Sequence, residues 1–169
     1  MKEFPNVYPK EKKALYRLLK VRVQGMIDGV PYITANLANV SALLNEALDD
    51  INWVGFYLMG EERLILGPFQ GRAACVEIPL GKGVCGTAAA KDEIVVVENV
   101  HEFPGHIACD SASNSEIVVP LHRDGRVVGV LDIDSPVFGR FDEEDKEGLL
   151  QVAELLDGII LPCYDKRNT

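Results

Sequence analysis

The chain has 169 residues, of which 47% are hydrophobic and 25% charged, and its formal net charge is −9. This length predicts one domain with a single substantial core, and the composition is that of an ordinary globular protein. The negative charge argues against a nucleic-acid or membrane partner, because either would need a clustered positive face.

The first residues, Met1 to Pro5, do not look like a secretory segment, since they are polar and soon interrupted by proline. No apolar run approaches the roughly 20 residues needed to cross a bilayer. We therefore expect a cytoplasmic protein, in which cysteines are normally reduced. In that compartment an oxidisable cysteine pair is typical of transient, catalytic chemistry rather than of a structural disulfide.

Two helices are predicted at the start of the chain. Helical periodicity runs from about residue 11 to 26, and the turn signal at Asp28–Pro31 ends this helix, which lies within about 11–28 and packs against the domain. Its lysines and arginines would face solvent. The buried stripe would consist of Leu15, Leu18, Leu19 and Val23. A second helix is predicted over about 33–48.

The middle of the chain predicts strands joined by short turns. Six segments have strand character: 52–59, 63–66, 75–80, 94–97, 116–121 and 127–133. Gly67-Pro68 is expected to end the second of them, and a short helix is expected over 83–91. Residues 98–114 form a long loop, and loops of that length are often functional.

A closing helix begins near Asp142, where a run of acidic residues suits the positive end of a helix dipole. Together these elements predict an α+β fold, with a mostly antiparallel sheet of about six strands flanked by helices. We expect a single domain over residues 1–169.

Three of the four cysteines, Cys75, Cys85 and Cys109, lie in one central stretch. A nucleophilic thiol must be ionised, and a helix N-terminus or a nearby cation favours the thiolate. Cys85 lies just inside a predicted helix start beside Lys82, so its thiolate could be favoured. Cys109 lies in the long loop. Any one of them could be a small buried hydrophobe, but the set of three favours function.

Neither a metal ion nor an organic cofactor is indicated. No two cysteines have the C-x₂-C spacing of zinc sites, and the three histidines show no pairing on a helix face. Gly81-Lys82-Gly83 lacks the remainder of a phosphate-binding loop and favours a tight strand-to-helix turn instead.

Three carboxylates follow near the end of the predicted hairpin. Asp132 and Asp134 share a face, because side chains of a strand alternate. A two-residue turn would place Glu116 opposite Ile133 and facing away, whereas a three-residue turn would place it opposite Asp132. A converging trio would hold a proton near neutrality, as a general acid must. The alternative is that these carboxylates cap the strand end in solvent.

Two aromatic residues of the first strand, Trp53 and Tyr57, also share one face. They could form the wall of a pocket for a methyl or thioether group. The alternative is that they belong only to the core.

Five segments resemble the free methionine-(R)-sulfoxide reductases, which are single GAF-domain enzymes: 53–57, 81–86, 106–110, 115–120 and 129–135. The resemblance extends from the second helix to the closing one. It implies a GAF-like six-stranded antiparallel sheet, with the ligand pocket between the sheet and its covering loops.

The resemblance also implies roles for individual residues. Cys109 matches the catalytic cysteine, Cys85 a cysteine that can pair with it, and Cys75 a third cysteine that resolves or relays the disulfide. The acidic pocket would consist of Glu116, Asp132 and Asp134, and its aromatic wall of Trp53 and Tyr57. Because Glu116 must then face the pocket, the resemblance favours the three-residue turn.

The reaction implied is reduction of free methionine sulfoxide, with no metal or organic cofactor. Cys109 would attack the sulfoxide sulfur while a carboxyl group protonates its oxygen. The resulting sulfenic acid would form a disulfide with Cys85 or Cys75, and a thioredoxin-like dithiol would reduce it. The order of the two resolving cysteines, the carboxyl that donates and the presence of a homodimer are left undecided.

Two other classes fit parts of the sequence. A GAF-type module that senses a small molecule or redox state would need no turnover. A reductase of protein-bound methionine sulfoxide would also use thiols, although the acidic residues favour a substrate with a free ammonium group.

Overall fold

The computed structural model describes residues 8–105 and 111–160 of the chain. Its regular elements are α1 (Lys12–Ile27), α2 (Ile33–Ala47), β1 (Trp53–Met59), β2 (Arg63–Gln70), β3 (Glu77–Pro79), α3 (Gly83–Lys91), β4 (Val95–Val97), β5 (Ser115–Arg123), β6 (Arg126–Ser135) and α4 (Glu143–Asp157). A single 3₁₀ turn, Val100–Glu102, follows β4.

The six strands form one sheet in the order β3-β2-β1-β6-β5-β4, and every neighbouring pair is antiparallel. The predicted α+β architecture is therefore confirmed. None of the helices in the described part of the chain is long and apolar enough to cross a membrane.

The two faces of the sheet carry separate cores, because side chains alternate along each strand. One face packs against α1, α2 and α4, and its centre includes Phe56 and Leu131. The other face packs against α3 and includes Trp53, Tyr57 and Val130. The short helix α3 thus covers the face on which the predicted site residues of β1 and β6 lie.

Helix α1 joins α4 through a buried carboxylate as well as through its apolar stripe. Leu15, Leu19 and Val23 are buried as expected, whereas Leu18 is partly exposed. Tyr16 donates its hydroxyl hydrogen to Asp145 Oδ1 at 2.8 Å. Burial, followed by the adjacent Asp145 carboxylate, raises the pKa of Tyr16 well above its ordinary value, so the hydroxyl remains a donor.

Strand β2 is longer than the sequence predicts, since it continues through Gly67-Pro68 to Gln70. The pairing with β1 shifts by one residue between Gly55 and Tyr57, and this bulge lies where Pro68 occurs. Proline is tolerated there because a bulge releases a ladder hydrogen bond. The expected strand over 75–80 is shortened to Glu77–Pro79, so Cys75 lies in the connection before it.

Candidate active site

The turn between β5 and β6 has two residues, Asp124 and Gly125, not the three that we favoured from the family resemblance. Both have positive φ, 51° and 71°, as a type I′ hairpin turn requires. The prediction of a three-residue turn, and with it the pairing of Glu116 with Asp132, is wrong.

A bulge in the same hairpin nevertheless turns Glu116 toward the other acids. The register shifts by one residue between Leu121 and His122, so that Glu116 pairs with Asp134 and Val118 with Asp132. Cross-strand partners share a face, and residues two apart on one strand do as well. Glu116, Asp132 and Asp134 therefore lie on the same face, as predicted, but for a different geometric reason.

Helix α3 brings Cys85 onto this face. Cys85 Sγ lies 3.9 Å from Glu116 Oε1, and one ligand atom from each of Cys85, Glu116 and Asp132 lies within 4.8 Å of the others. All three residues are buried, whereas Asp134 is partly exposed at the edge of the group. We call Cys85, Glu116 and Asp132 the buried triad.

Glycine 86 explains how α3 can approach the sheet so closely. A Cβ atom at Gly86 would lie 2.3 Å from the Pro79 carbonyl oxygen. The Gly81 N–H donates to the Gly86 carbonyl at 2.8 Å. These contacts fix the first turn of α3 against the end of β3 and thereby position Cys85.

The two buried carboxyl groups cannot both ionise cheaply. Burial, followed by the nearby Asp132 and Asp134 charges, raises the pKa of Glu116 well above its ordinary value. Burial also raises the pKa of Asp132, to about 6. Near neutral pH the pair therefore holds one proton, and we place it on Glu116, whose pKa is raised by the charges of both Asp132 and Asp134.

The Cys85 thiol is held protonated, contrary to the expectation from the helix start and Lys82. Burial is the largest cause, followed by the Asp132 and Glu116 charges, and together they raise the pKa of Cys85 well above its ordinary value. Lys82 is exposed at the N-cap of α3. The neighbouring carboxylates and the loss of water thus outweigh a cation that remains in solvent.

Trp53 and Tyr57 lie on the same face as the buried triad, and both are buried. Their rings stack with centroids 5.9 Å apart. Trp53 Nε1 donates to the Arg72 carbonyl oxygen, and the Tyr57 hydroxyl donates to the Cys75 carbonyl oxygen, each at 3.0 Å. The two aromatic residues therefore anchor the connection that carries the half-buried Cys75.

Two residues of this face were not identified from the sequence. Phe69 stacks on Trp53 with centroids 5.2 Å apart, and Gly55 pairs with Asp132 on the neighbouring strand. A Cβ atom at Gly55 would lie 2.7 Å from the Trp53 ring. Recognising that Pro68 marks a bulge and not a strand end would have placed Phe69 beside β1.

The predicted nucleophile, Cys109, lies in 106–110, outside the described residues. That segment belongs to the connection between β4 and β5, whose described parts run from Glu98 to Gly105 and from Ser111 to Asn114. The structure thus brings Cys85 together with the carboxyl groups, on the face that also carries Trp53 and Tyr57. The role of Cys109 stays a prediction.

Comparison with known proteins agrees with this fold. A family model for the GAF domain matches residues 38–160. The chain is 53% identical over 149 residues to the free methionine-R-sulfoxide reductase of Escherichia coli (strain K12), covering 88% of this chain and 90% of that protein.

Two solved structures contain the substrate of the protein concerned. The Staphylococcus aureus fRMsr complex with substrate is 54% identical, with a TM-score of 0.81 over 84% of this chain and 93% of that chain. The free methionine-R-sulfoxide reductase of Neisseria meningitidis, in complex with its substrate, is 48% identical, with a TM-score of 0.85, and the match covers 88% of this chain and 90% of that chain. The chain therefore belongs to the free methionine-R-sulfoxide reductases, a family of GAF-domain oxidoreductases.

Proposed function

We propose that this protein reduces free L-methionine-(R)-sulfoxide to L-methionine through a thiol cycle. The observation that carries the proposal is the buried triad, in which a thiol lies beside two buried carboxyl groups. The names of the relatives and the two substrate complexes support the same reaction.

The first step uses the proton of the carboxyl pair. The sulfoxide oxygen is a poor leaving group until it is protonated, and Glu116 retains a proton near neutral pH because of its burial. The Cys109 thiolate attacks the sulfoxide sulfur, the S–O bond breaks, and the oxygen is transferred to Cys109 as a sulfenic acid. The substrate leaves as the thioether, reduced by two electrons.

The second step converts the sulfenic acid to a disulfide. A neighbouring thiol displaces water from the sulfenic acid and forms a disulfide. The protonated, buried state of Cys85 suits this resolving role better than the attacking role, which requires a thiolate. Cys75, which is half-buried and lies in a connection, is the candidate for passing the disulfide outward.

An external dithiol completes the cycle. We infer that a thioredoxin-like protein reduces the disulfide by thiol exchange, which places the enzyme in a reducing compartment such as the cytoplasm. No metal or organic cofactor enters this cycle. The family resemblance leaves open whether the protein is a homodimer, and sedimentation analysis of the purified protein decides this.

Substrate selection follows from the charges of the site. Asp132 and Asp134 provide negative charge for the substrate ammonium group, and the stacked Trp53 and Tyr57 rings lie on the same face for its methyl-thio end. A methionine sulfoxide within a protein lacks the free ammonium. We therefore expect the free amino acid to be the preferred substrate.

The deciding experiment is thioredoxin-coupled NADPH oxidation with free methionine-(R)-sulfoxide, its (S) epimer and a blocked peptide sulfoxide. We expect turnover with the free (R) form alone and its loss in Cys109→Ser. The matched control is Cys163→Ser, which we expect to retain activity. Absence of turnover on all three substrates, with thioredoxin shown to be competent, would favour a ligand-sensing GAF module instead.

A second variant tests the proton donor. Glu116→Gln keeps the shape of the side chain but removes its proton, so we expect kcat to fall by about 10²- to 10⁴-fold. Glu154→Gln, on the exposed side of α4, is the matched control. An unchanged kcat in Glu116→Gln would exclude Glu116 as the donor.

A further inference from the structure

The buried triad has the donor set of a metal site, although the sequence spacing of its members does not predict one. Its members lie on three different elements: Cys85 on α3, Glu116 on β5 and Asp132 on β6. One sulfur and two carboxylate oxygens lie within 4.8 Å of one another.

Asp132 supplies an independent indication of a missing ligand. Its side chain is 6% exposed, and its Oδ1 atom has no hydrogen-bond partner among the residues that the structure describes. A buried carboxylate oxygen without a partner is costly. A bound cation would satisfy it.

The donors also discriminate between cations. Mg²⁺ and Ca²⁺ prefer six or more oxygen ligands, whereas one sulfur with two oxygens suits Zn²⁺. In a tetrahedral zinc site with Zn–S about 2.3 Å and Zn–O about 2.1 Å, ligand atoms lie about 3.5 Å apart. The observed 3.9 Å between Cys85 Sγ and Glu116 Oε1 requires only a small side-chain adjustment.

We propose that the reduced protein binds one Zn²⁺ ion through Cys85, Glu116 and Asp132, with the fourth position open to water. A thiolate and two carboxylates are anionic ligands that offset the charge of the ion, which a buried ion requires.

Binding would stop the proposed reductase reversibly, because the ion would occupy the Glu116 carboxyl group and the Cys85 thiol, both of which the proposed cycle uses. Oxidation of Cys85 to a disulfide would remove one ligand and release the ion. The metal site goes beyond the proposed function and does not depend on it, since it requires only the triad in its reduced form.

Cobalt(II) is the probe, because a Co²⁺–thiolate bond gives a near-ultraviolet charge-transfer band. Metal-free, full-length protein is titrated with Co²⁺ under a phosphine reductant, without substrate, and Zn²⁺ is then added to displace the cobalt. We expect one ion per chain, loss of the band in Cys85→Ser and its retention in the matched control Cys75→Ser.

A second variant decides the matter if Cys85→Ser does not fold. Asp132→Asn keeps the thiol, and we expect it to weaken Co²⁺ binding at least tenfold. A band that persists in Cys85→Ser, affinity unchanged in Asp132→Asn, or no band in the parent protein would each overturn the proposal. Because no substrate is present, failure of metal binding is distinguishable from failure of the reductase assay.

Discussion

The buried carboxyl pair makes a quantitative prediction about stability, which Asp132→Asn tests. The side chain of Asp132 is buried, and burial raises its pKa from 3.8 to about 6. Asparagine has nearly the same shape and cannot ionise. The substitution therefore removes the cost of a buried negative charge while leaving the packing around the buried triad almost unchanged.

The sign follows from the protons bound in each state. Below about pH 3 both folded and unfolded Asp132 are protonated, and the group has no effect. As pH rises from 3.8 toward 6, the unfolded state ionises first, so the parent protein loses stability. Above about pH 7 both states are ionised and the full cost remains.

The magnitude follows from the two pKa values. One pKa unit corresponds to about 1.4 kcal/mol, so ionised Asp132 lowers the free energy of unfolding by about 3 kcal/mol above pH 7. Removing the Asp132 charge also lets the pKa of Glu116 fall, which acts in the same direction. For a domain of this size, 3 kcal/mol corresponds to about 6 to 12 °C in Tm.

The assay is urea unfolding of the parent protein and Asp132→Asn under reducing conditions, followed by fluorescence of the single tryptophan, Trp53. Any cost of burying the amide is independent of pH. The gain in stability of Asp132→Asn should therefore be about 2 to 3 kcal/mol larger at about pH 8 than at about pH 4.

A matched control is Asp124→Asn, in the exposed hairpin turn, where asparagine also tolerates positive φ. We expect its effect on stability to stay within about 0.5 kcal/mol at either pH. Equal effects of Asp132→Asn at the two pH values would refute the placement of an ionised carboxylate in the buried triad.

Two further substitutions test the packing of the two faces of the sheet, the first beside the site and the second between α1 and α4. In Gly55→Ala the added Cβ atom would lie 2.3 Å from Phe69 Cβ, so urea unfolding should show a loss of about 1 to 3 kcal/mol. The control is Gly25→Ala in α1, where an added Cβ atom would have nothing within 4 Å, and we expect it to stabilise the protein by up to about 1 kcal/mol. Equal effects of the two glycine substitutions on the free energy of unfolding would contradict the close contact at Gly55. Tyr16→Phe leaves buried Asp145 without its hydroxyl donor and should cost about 1 to 3 kcal/mol, and an unchanged midpoint would show that this hydrogen bond does not contribute.

Local sequence patterns correctly predict most of the elements and the faces of the strands. Hydrophobic periodicity predicts α1, α2 and the hairpin close to their observed bounds, because burial of one face imposes a regular spacing on apolar residues. The same alternation placed Asp132 and Asp134 on one face, and Trp53 and Tyr57 on one face, before any contact was known.

The register of the hairpin and the surroundings of the site residues depend on contacts between distant parts of the chain. Glu116 joins the acids only because a bulge follows the two-residue turn, and a bulge of one residue changes no local hydrophobic pattern. The helix start predicts a favoured thiolate at Cys85, but burial, and then the charges of Asp132 and Glu116, raise the pKa of its thiol, and both carboxyl groups lie more than 30 residues away in the chain.

The physical reason is that alternation and propensity act between residues close in sequence, whereas charge and solvent access depend on distance in space. The sequence therefore supplied the thiols and carboxylates, and the packing of α3 on β5 and β6 made them a buried group that shares a proton.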